Sequence, residues 1–414
     1  MGRIPKRTDG IPMSREMLRK LRIRVLRFGA LLAGAALLCA GCGKEPATDA
    51  WLEAAALDAR ETPEELYEKA LSEDVLIVYT VTSRAAQVKE AFEAAYPGLY
   101  VEIRDLRSPS LVDAVEENFN SGGSDCDIAI CNDNSGEFKT RLVDTGIVLP
   151  YLPNDIGQHM KEGTGDGMVH FVYEAEMMFY NSAKYDAPPV DNLWALTDPV
   201  YEGRIYMSNP LRSFSTYALC GASLSQEEAF RAAYDSYEGT KPALEEGGSA
   251  AESFWKAAAK NMVFTNSSDE VVEALNNGSA DLGFMVSSKL RLKDTGYTME
   301  PVWNCTPFNG CRTSYAVMIA RNSRNVNAAK LFVRFLLGES DGRGKGYEPF
   351  CTPGTWSARD DVPDANPVSM GEMDLIWPDP DQLVDKHDDM EKLWTEILRE
   401  NAGGTAGENN TEEK

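Results

Sequence analysis

The sequence predicts an α/β fold built on open, mostly parallel sheets, and three observations carry that expectation. Short β-rich apolar runs recur along the chain: VLIVY at 75–79, DIAI at 127–130, LGFMV at 282–286 and YAVMIA at 315–320. Unbroken apolar runs of this length suit strands covered on both faces. Helix-period segments lie between them, with Val88, Phe92 and Tyr96 on one face and Leu111, Val112, Val115 and Phe119 on another. The chain is 414 residues long, which exceeds one core and implies two domains of roughly 150–200 residues.

Taken in order, Thr62 is an N-cap and Pro63 opens a helix to Ala70. VLIVY is the first strand. The next helix covers 85–96 and stops at Pro97-Gly98, and residues 99–103 alternate as a second strand. A helix around 111–119 ends near Gly122-Gly123, and DIAI is the third strand. The order β-α-β-α-β gives an open sheet with parallel strands. Further on, MMFY at 177–180 reads as a strand. Ser225 with Glu228, Ser249 with Glu252 and Ser267 with Glu270 read as capping boxes that open helices. A helix over 271–275 closes at Asn277-Gly278 before the strand at 282–286. After the strand at 315–320, Asn327 begins a helix with Leu331, Phe332, Phe335 and Leu336 on one face, ended by Gly338. A Gly-rich loop covers 341–346, one helix lies near 390–398, and residues 401–414 have the composition of a disordered tail.

The N-terminus has a different character. Nine Lys or Arg fall in the first 27 residues against Asp9 and Glu16, followed by an uncharged stretch to Ala40. The apolar part is about 13 residues, short of the roughly 20 needed to span a bilayer. Basic region, apolar region and small-residue end make an export signal over 1–41. LCAGC at 38–42 resembles a bacterial lipobox, departing from the pattern at Cys39. The resemblance implies a mature chain that starts at Cys42, lipid-anchored to the outer face of the cell membrane. Removing the signal takes nine basic and two acidic residues from totals of 41 and 65, which leaves 32 against 63 and a net charge of −31. So acidic a body excludes nucleic acid and anionic membrane as partners.

Eight cysteines occur, and no CxxC pair follows the signal, so zinc and redox motifs are not expected. Cys126 and Cys131 sit at two ends of one strand, roughly 16 Å apart when extended, too far to bridge. Cys305 and Cys311 flank a Pro-containing turn and either pair in an oxidising compartment or stay free thiols.

A family resemblance rests on landmarks that keep their order. These are LIVYT at 76–80, TSR at 82–84, YPG at 96–98 and VEI at 101–103, then DIAI at 127–130 with Asn132-Asp133 and FYN at 179–181. LWALTDP at 193–199, EGRI at 202–205, MSNP at 207–210, VVEA at 271–274, SSKL at 287–290 and NAAKLF at 327–332 follow. Together they cover roughly residues 62–398. They resemble the bacterial extracellular solute-binding proteins of ABC importers, in the branch of ferric-ion, aminoethylphosphonate and hexose-phosphate binders. The resemblance implies a two-lobed, type 2 periplasmic-binding fold, each lobe an open, mostly parallel sheet flanked by helices, with two hinge crossings. It implies a tether at 42–61, an N-lobe of 62–172 plus 302–346, and a C-lobe of 173–301 plus 347–400. The crossings are expected near Val172-Tyr173 and Pro301-Val302. It further implies a monomer without cofactor, whose partners are a small solute and a permease with its ATPase.

Parallel strands place ligands beyond their carboxyl ends, where helix N-termini present free N–H groups. Thr80, Thr82, Ser83 and Arg84 follow the first strand, and Arg84 offers a bidentate fork to phosphate or carboxylate. Asn132 and Asp133 follow the third. Ser213, Ser215 and Thr216 cluster hydroxyls before a helix, a region where the family binds ligand. Ser287 and Ser288, with Lys289, follow the strand at 282–286, and Arg312 is a further candidate. Ferric members of the family use adjacent tyrosines where this chain has SSK at 287–289, and a His near the place of Arg84. Hydroxyls and guanidinium suit an oxyanion, so the expected solute is a phosphonate, sugar phosphate or carboxylate. Asp105, Asp133, Glu174 and Glu176, with Tyr173, leave a polyamine or other cation open. A ferric-ion role, and a sensor or adhesin reusing the fold, are also open.

Enzyme motifs are missing. The chain has only His159, His170 and His387, no GxSxG or HExxH, and GRGKG at 342–346 lacks the Ser or Thr of a phosphate loop. Asp360-Asp361 and Asp388-Asp389 read as solvated faces. Cys42→Ala is expected to move the exported protein from the membrane pellet to the soluble fraction. A variant that stays in the pellet contradicts lipid attachment.

Overall fold

The computed structural model describes residues 49–405 except 124, 162–165 and 245. The expected export signal at 1–41, Cys42 and residues 406–414 lie outside the described residues. A short helix, Ala50–Ala55, begins with Asp49 accepting the Trp51 N–H at 3.1 Å. From Ala55 onward the chain forms one body. No described helix is long and apolar enough to cross a membrane.

The body is two-lobed. Its first arm holds β1 (Leu76–Thr80), β2 (Val101–Asp105) and β3 (Ile128–Asn132), parallel in the order β2-β1-β3. Its second arm holds β6 (Ile205–Ser208), β7 (Met262–Thr265) and β8 (Leu282–Val286), parallel in the order β8-β6-β7. Between them run two long strands, β5 (His170–Asn181) and β10 (Gly310–Ala320), antiparallel to each other. β10 also pairs with β3, and β5 with β8. Four short strands finish the sheet: β4 (Val148–Leu149) and β12 (Leu375–Ile376) on β10, and β9 (Met299–Pro301) and β11 (Trp356–Ser357) on β5. In each arm the chain leaves its central strand, β1 or β6, to one side and later returns on the other. This is the switch that opens a crevice at the carboxyl ends.

The second crossing differs from the expectation at Pro301-Val302. Residues Met299–Pro301 pair with Phe179–Asn181 of β5, so the chain is still in the second arm there. The crossing is β10. A Cβ at Gly310 would lie 2.3 Å from the Glu176 carbonyl oxygen and 2.8 Å from Met177 Cβ, so this register of β10 on β5 needs glycine.

The helix boundaries follow local chemistry. Thr62 caps Pro63–Ala70 in a reciprocal box with Glu65. Ser249 and Ser267 accept the N–H of Glu252 and Glu270, as expected. Ser225 does not cap, because that helix starts at Glu227 after Gln226. Ser225 is held in a turn by its N–H to Ala222 O. Glu227 instead accepts from Ser249 Oγ at 2.9 Å and from the Ala250 N–H at 2.8 Å. The C-terminal helix, His387–Thr405, continues past residue 400.

The second lobe is packed around Trp194, fully buried, whose indole N–H donates to Phe230 O at 3.0 Å with Phe254 and Tyr234 edge-on. The first lobe depends on a polar node. Buried Asp127 accepts from the Ile77 N–H at 2.8 Å, Ser323 Oγ at 2.6 Å and Asn325 Nδ2 at 3.0 Å. It thereby ties β1 to the turn that follows β10. Asp127→Ala strands these donors and is expected to cost roughly 2–5 kcal/mol. An unchanged urea midpoint would show the node to be dispensable.

Candidate functional site

All six parallel strands end at one cleft of about 550 Å3. Val81–Arg84 follow β1, Leu106–Ser108 follow β2, and Asn132 and Asn134 come from the end of β3. From the second arm come Arg212–Ser215 after β6, Asn266 and Ser267 after β7, and Ser288, Lys289 and Arg291 after β8. Four helices start at this cleft: Ala85–Ala95, Ser108–Asn120, Phe214–Ser223 and Ser268–Asn277. The first three have no side-chain cap. In Ala85–Ala95 the leading N–H groups turn back onto the carbonyls of Thr82, Ser83 and Arg84, whereas the first turns of Ser108–Asn120 and Phe214–Ser223 are the ones open to an anion.

The charge of the wall opposes that of the chain. Arg84, Arg107, Arg212, Lys289 and Arg291 line the cleft against Asp105 and Glu174. Arg84 Nη1 lies 3.1 Å from Glu174 Oε1, with the guanidinium 5.6 Å from the centroid of the Phe350 ring. Lys289 pairs with Asp269. Arg212 Nη1 donates to Asn266 Oδ1 at 3.1 Å. Neither Arg107 nor Arg212 forms an ion pair with the described residues. Guanidiniums and helix N-termini both attract negative charge.

Seven of the predicted residues meet here: Thr82, Ser83, Arg84, Asn132, Ser213, Ser215 and Ser288. Five do not line the cleft, each for a definite reason. Thr80 is buried, and its hydroxyl accepts the Thr82 N–H at 3.1 Å, which shapes the loop from below. Asp133 turns to an adjoining chamber and accepts the N–H groups of Phe138 and Lys139, both at 3.0 Å. Thr216 is buried and donates to Glu176 Oε1 at 2.9 Å. Ser287 is buried, donating to Gly354 O at 2.6 Å and accepting from the Ala175 N–H at 2.9 Å. Arg312 lies in the adjoining chamber, its guanidinium carbon 3.3 Å from the centroid of the Trp377 ring. Arg107, Arg212 and Arg291 were not anticipated. The strand-end rule applied to β2 points to Arg107. The four-residue β6 and β7 carry too little pattern to expose Arg212 in the same way. Cys305 and Cys311 are free, buried thiols.

Two buried carboxyls underlie the cleft. Burial pushes Glu174 up, and the Arg84 guanidinium opposes that shift. Burial pushes Glu176 up to about 7, against hydrogen bonds from Ser215 and Thr216. Tyr315, the one tyrosine lining the cleft among the described residues, is also pushed up by burial and by Glu174, so its phenol stays protonated.

An unfolded chain releases the Glu176 proton near 4.5, whereas the folded chain holds it to about 7. Folding therefore takes up a proton between these values, and stability falls as pH rises through that window. Glu176→Gln, neutral throughout, is expected to exceed the wild type by up to about 3 kcal/mol near pH 8. The advantage should shrink toward zero as the pH approaches 4.5. Equal urea midpoints at both ends of the range contradict a buried, protonating Glu176.

The sequence model of the family described as bacterial extracellular solute-binding protein matches residues 83–341. No curated protein sequence matches the chain. Among solved structures, iron-bound HitA from Pseudomonas aeruginosa superposes with a TM-score of 0.60 at 16% identity, covering 78% of this chain and 99% of that one. The apo ferric ion-binding protein A of Pasteurella haemolytica gives 0.59 at 14% identity, covering 78% and 97%. The periplasmic binding protein AfuA of Actinobacillus pleuropneumoniae, with fructose-6-phosphate bound, gives 0.59 at 17% identity, covering 78% and 98%. The shared fold is the type 2 periplasmic-binding fold. With two such lobes around one cleft and more than half its length matched, the chain belongs to the bacterial extracellular solute-binding proteins, which are components of transport and not enzymes.

Proposed function

We propose that this protein is the solute-binding lipoprotein of an ABC importer, anchored through Cys42, and that it captures a small anionic solute between its lobes for delivery to the permease. A phosphonate, sugar phosphate or carboxylate fits the cleft. The observation that carries this is a pair of guanidiniums without ion-pair partners among the described residues, each beside a helix N-terminus with no side-chain cap: Arg107 beside Ser108 in one lobe and Arg212 beside Ser213 in the other. A single oxyanion touching both lobes would favour the closed form, the shape an importer would read. The N-lobe would be the β2-β1-β3 arm and the C-lobe the β8-β6-β7 arm, and one chain supplies both.

HitA is iron-bound, but direct ferric binding is disfavoured here. Ser288 and Lys289 stand at the cleft where phenolates would be needed, and Tyr315 is the one tyrosine lining it among the described residues. A polyamine is disfavoured by the same wall, because Glu174 is already engaged by Arg84 and Asp133 is turned away. The fructose-6-phosphate of AfuA is an example of the solute chemistry that this wall suits.

Calorimetry with methylphosphonate, 2-aminoethylphosphonate, fructose-6-phosphate and citrate tests the reading. At least one should bind. Arg107→Ala and Arg212→Ala should each weaken it about tenfold or more, the loss of one charge-assisted hydrogen bond. Added salt should weaken binding further. Absence of binding by the whole panel, or affinity indifferent to both substitutions, contradicts the proposal.

A further inference from the structure

Next to the cleft, beyond a wall formed by Asn134 and Thr313, lies a second chamber of about 350 Å3. One side is β10 at Arg312, and another is the segment after β12, residues 377–381. Arg312 is 5% exposed, with its guanidinium carbon 3.3 Å from the centroid of the Trp377 ring and 4.8 Å from that of Tyr173. Among the described residues no carboxylate pairs with it, and its Nη1 is buried without a hydrogen-bond partner. Burial pulls its pKa down to about 10. The side-chain nitrogen of Asn134, 2% exposed, is also buried without a partner among the described residues. Buried donors left in this state are costly, and a cationic one most of all.

The rest of the wall has the opposite sign. Asp133, Asp166, Asp379 and Asp381 line the chamber with Lys139, His170 and Arg312, and Asp166 Oδ2 lies 2.8 Å from His170 Nε2. Lys139 is already committed, at 3.2 Å to Asp381 and 2.8 Å to Asp144. A simple anion would enter a wall with more negative than positive charge. A simple cation would leave the guanidinium unmatched. A molecule carrying both charges answers both walls, and the volume falls within the usual range for small-molecule pockets, about 300–1,000 Å3.

We infer that this chamber is a second binding site, for a small zwitterion of the amino-acid class. Its carboxylate meets Arg312 and Asn134, and its ammonium faces the aspartates. Trp377, 56% exposed, covers the guanidinium from outside and sets its plane for a bidentate carboxylate. The inference does not depend on what the main cleft binds, since neither Arg312 nor Trp377 lines that cleft.

Thermal shift and calorimetry on the whole mature chain test it, with glycine, L-alanine, L-glutamate and glycine betaine as probes and acetate and ethylamine as singly charged comparators. At least one zwitterion should bind at one site. Arg312→Met should weaken it tenfold or more while acetate and ethylamine fail to saturate. Arg312 is buried, so Trp377→Ala, at an exposed position, provides a second variant that should also weaken binding. Failure of every zwitterion to bind the wild type overturns the inference. So does acetate binding as tightly as the zwitterions, or a zwitterion whose affinity both variants leave unchanged.

Discussion

The pairing of β5 with β10 is the constraint on which the rest of the structure depends. All twelve residues of β5 are buried, and the strand is antiparallel to a neighbour on either side. A strand so placed has no solvent-facing side to which polar residues can turn. It nevertheless carries Glu174 and Glu176, two residues apart and therefore on one face. Partners must come to them, and they come from both arms: Arg84 from the loop after β1, and Thr216 from the helix after β6. The seam that joins the lobes thus also organises the base of the cleft. Gly310 is part of the same constraint, since any side chain there would push β10 off the Glu176 carbonyl.

Electrostatics in this molecule is a local matter. The formal net charge of the full chain is −24, and yet the cleft is cationic. Parallel strands deliver every arm's helix N-termini to the same edge, and the arginines are placed there too. The acidic remainder is spread over outer surfaces, where solvent screens it. A ligand is therefore selected by the few groups it touches and not by the charge of the body. The adjoining chamber has the reverse balance, many carboxylates around one buried guanidinium.

Much of this was readable in the sequence. β1, β3 and β8 are unbroken apolar runs, as strands covered on both faces should be, and Thr62 with Pro63 announced its helix. Arg84 and Ser288 followed from placing ligands after parallel strands. The rest was hidden for physical reasons. β5 reads as a strand only at 177–180, because Glu174 and Glu176 interrupt its apolar pattern and their partners are distant in sequence. β6 and β7 have four residues each, too few for periodicity to show. Thr216 and Ser287 looked like ligand hydroxyls, but side-chain direction put them into the interior, one onto Glu176 and the other onto Gly354 O. The β10 crossing could not be located by pattern, since only 315–320 of it reads as a strand, whereas its pairing with β5 runs over 310–316.

The central claim is that one oxyanion draws the two lobes together. It is tested most directly by the distance between spin labels at Glu90, on Ala85–Ala95, and Glu252, on Ala250–Ala258, both exposed positions in different lobes. Exposed Cys351 is first replaced by Ser so that it does not take up label. The account predicts a shorter, narrower distance distribution with a saturating phosphonate or sugar phosphate than with chloride at equal ionic strength. A distribution that no oxyanion changes, or that only ferric ion shortens, would contradict it.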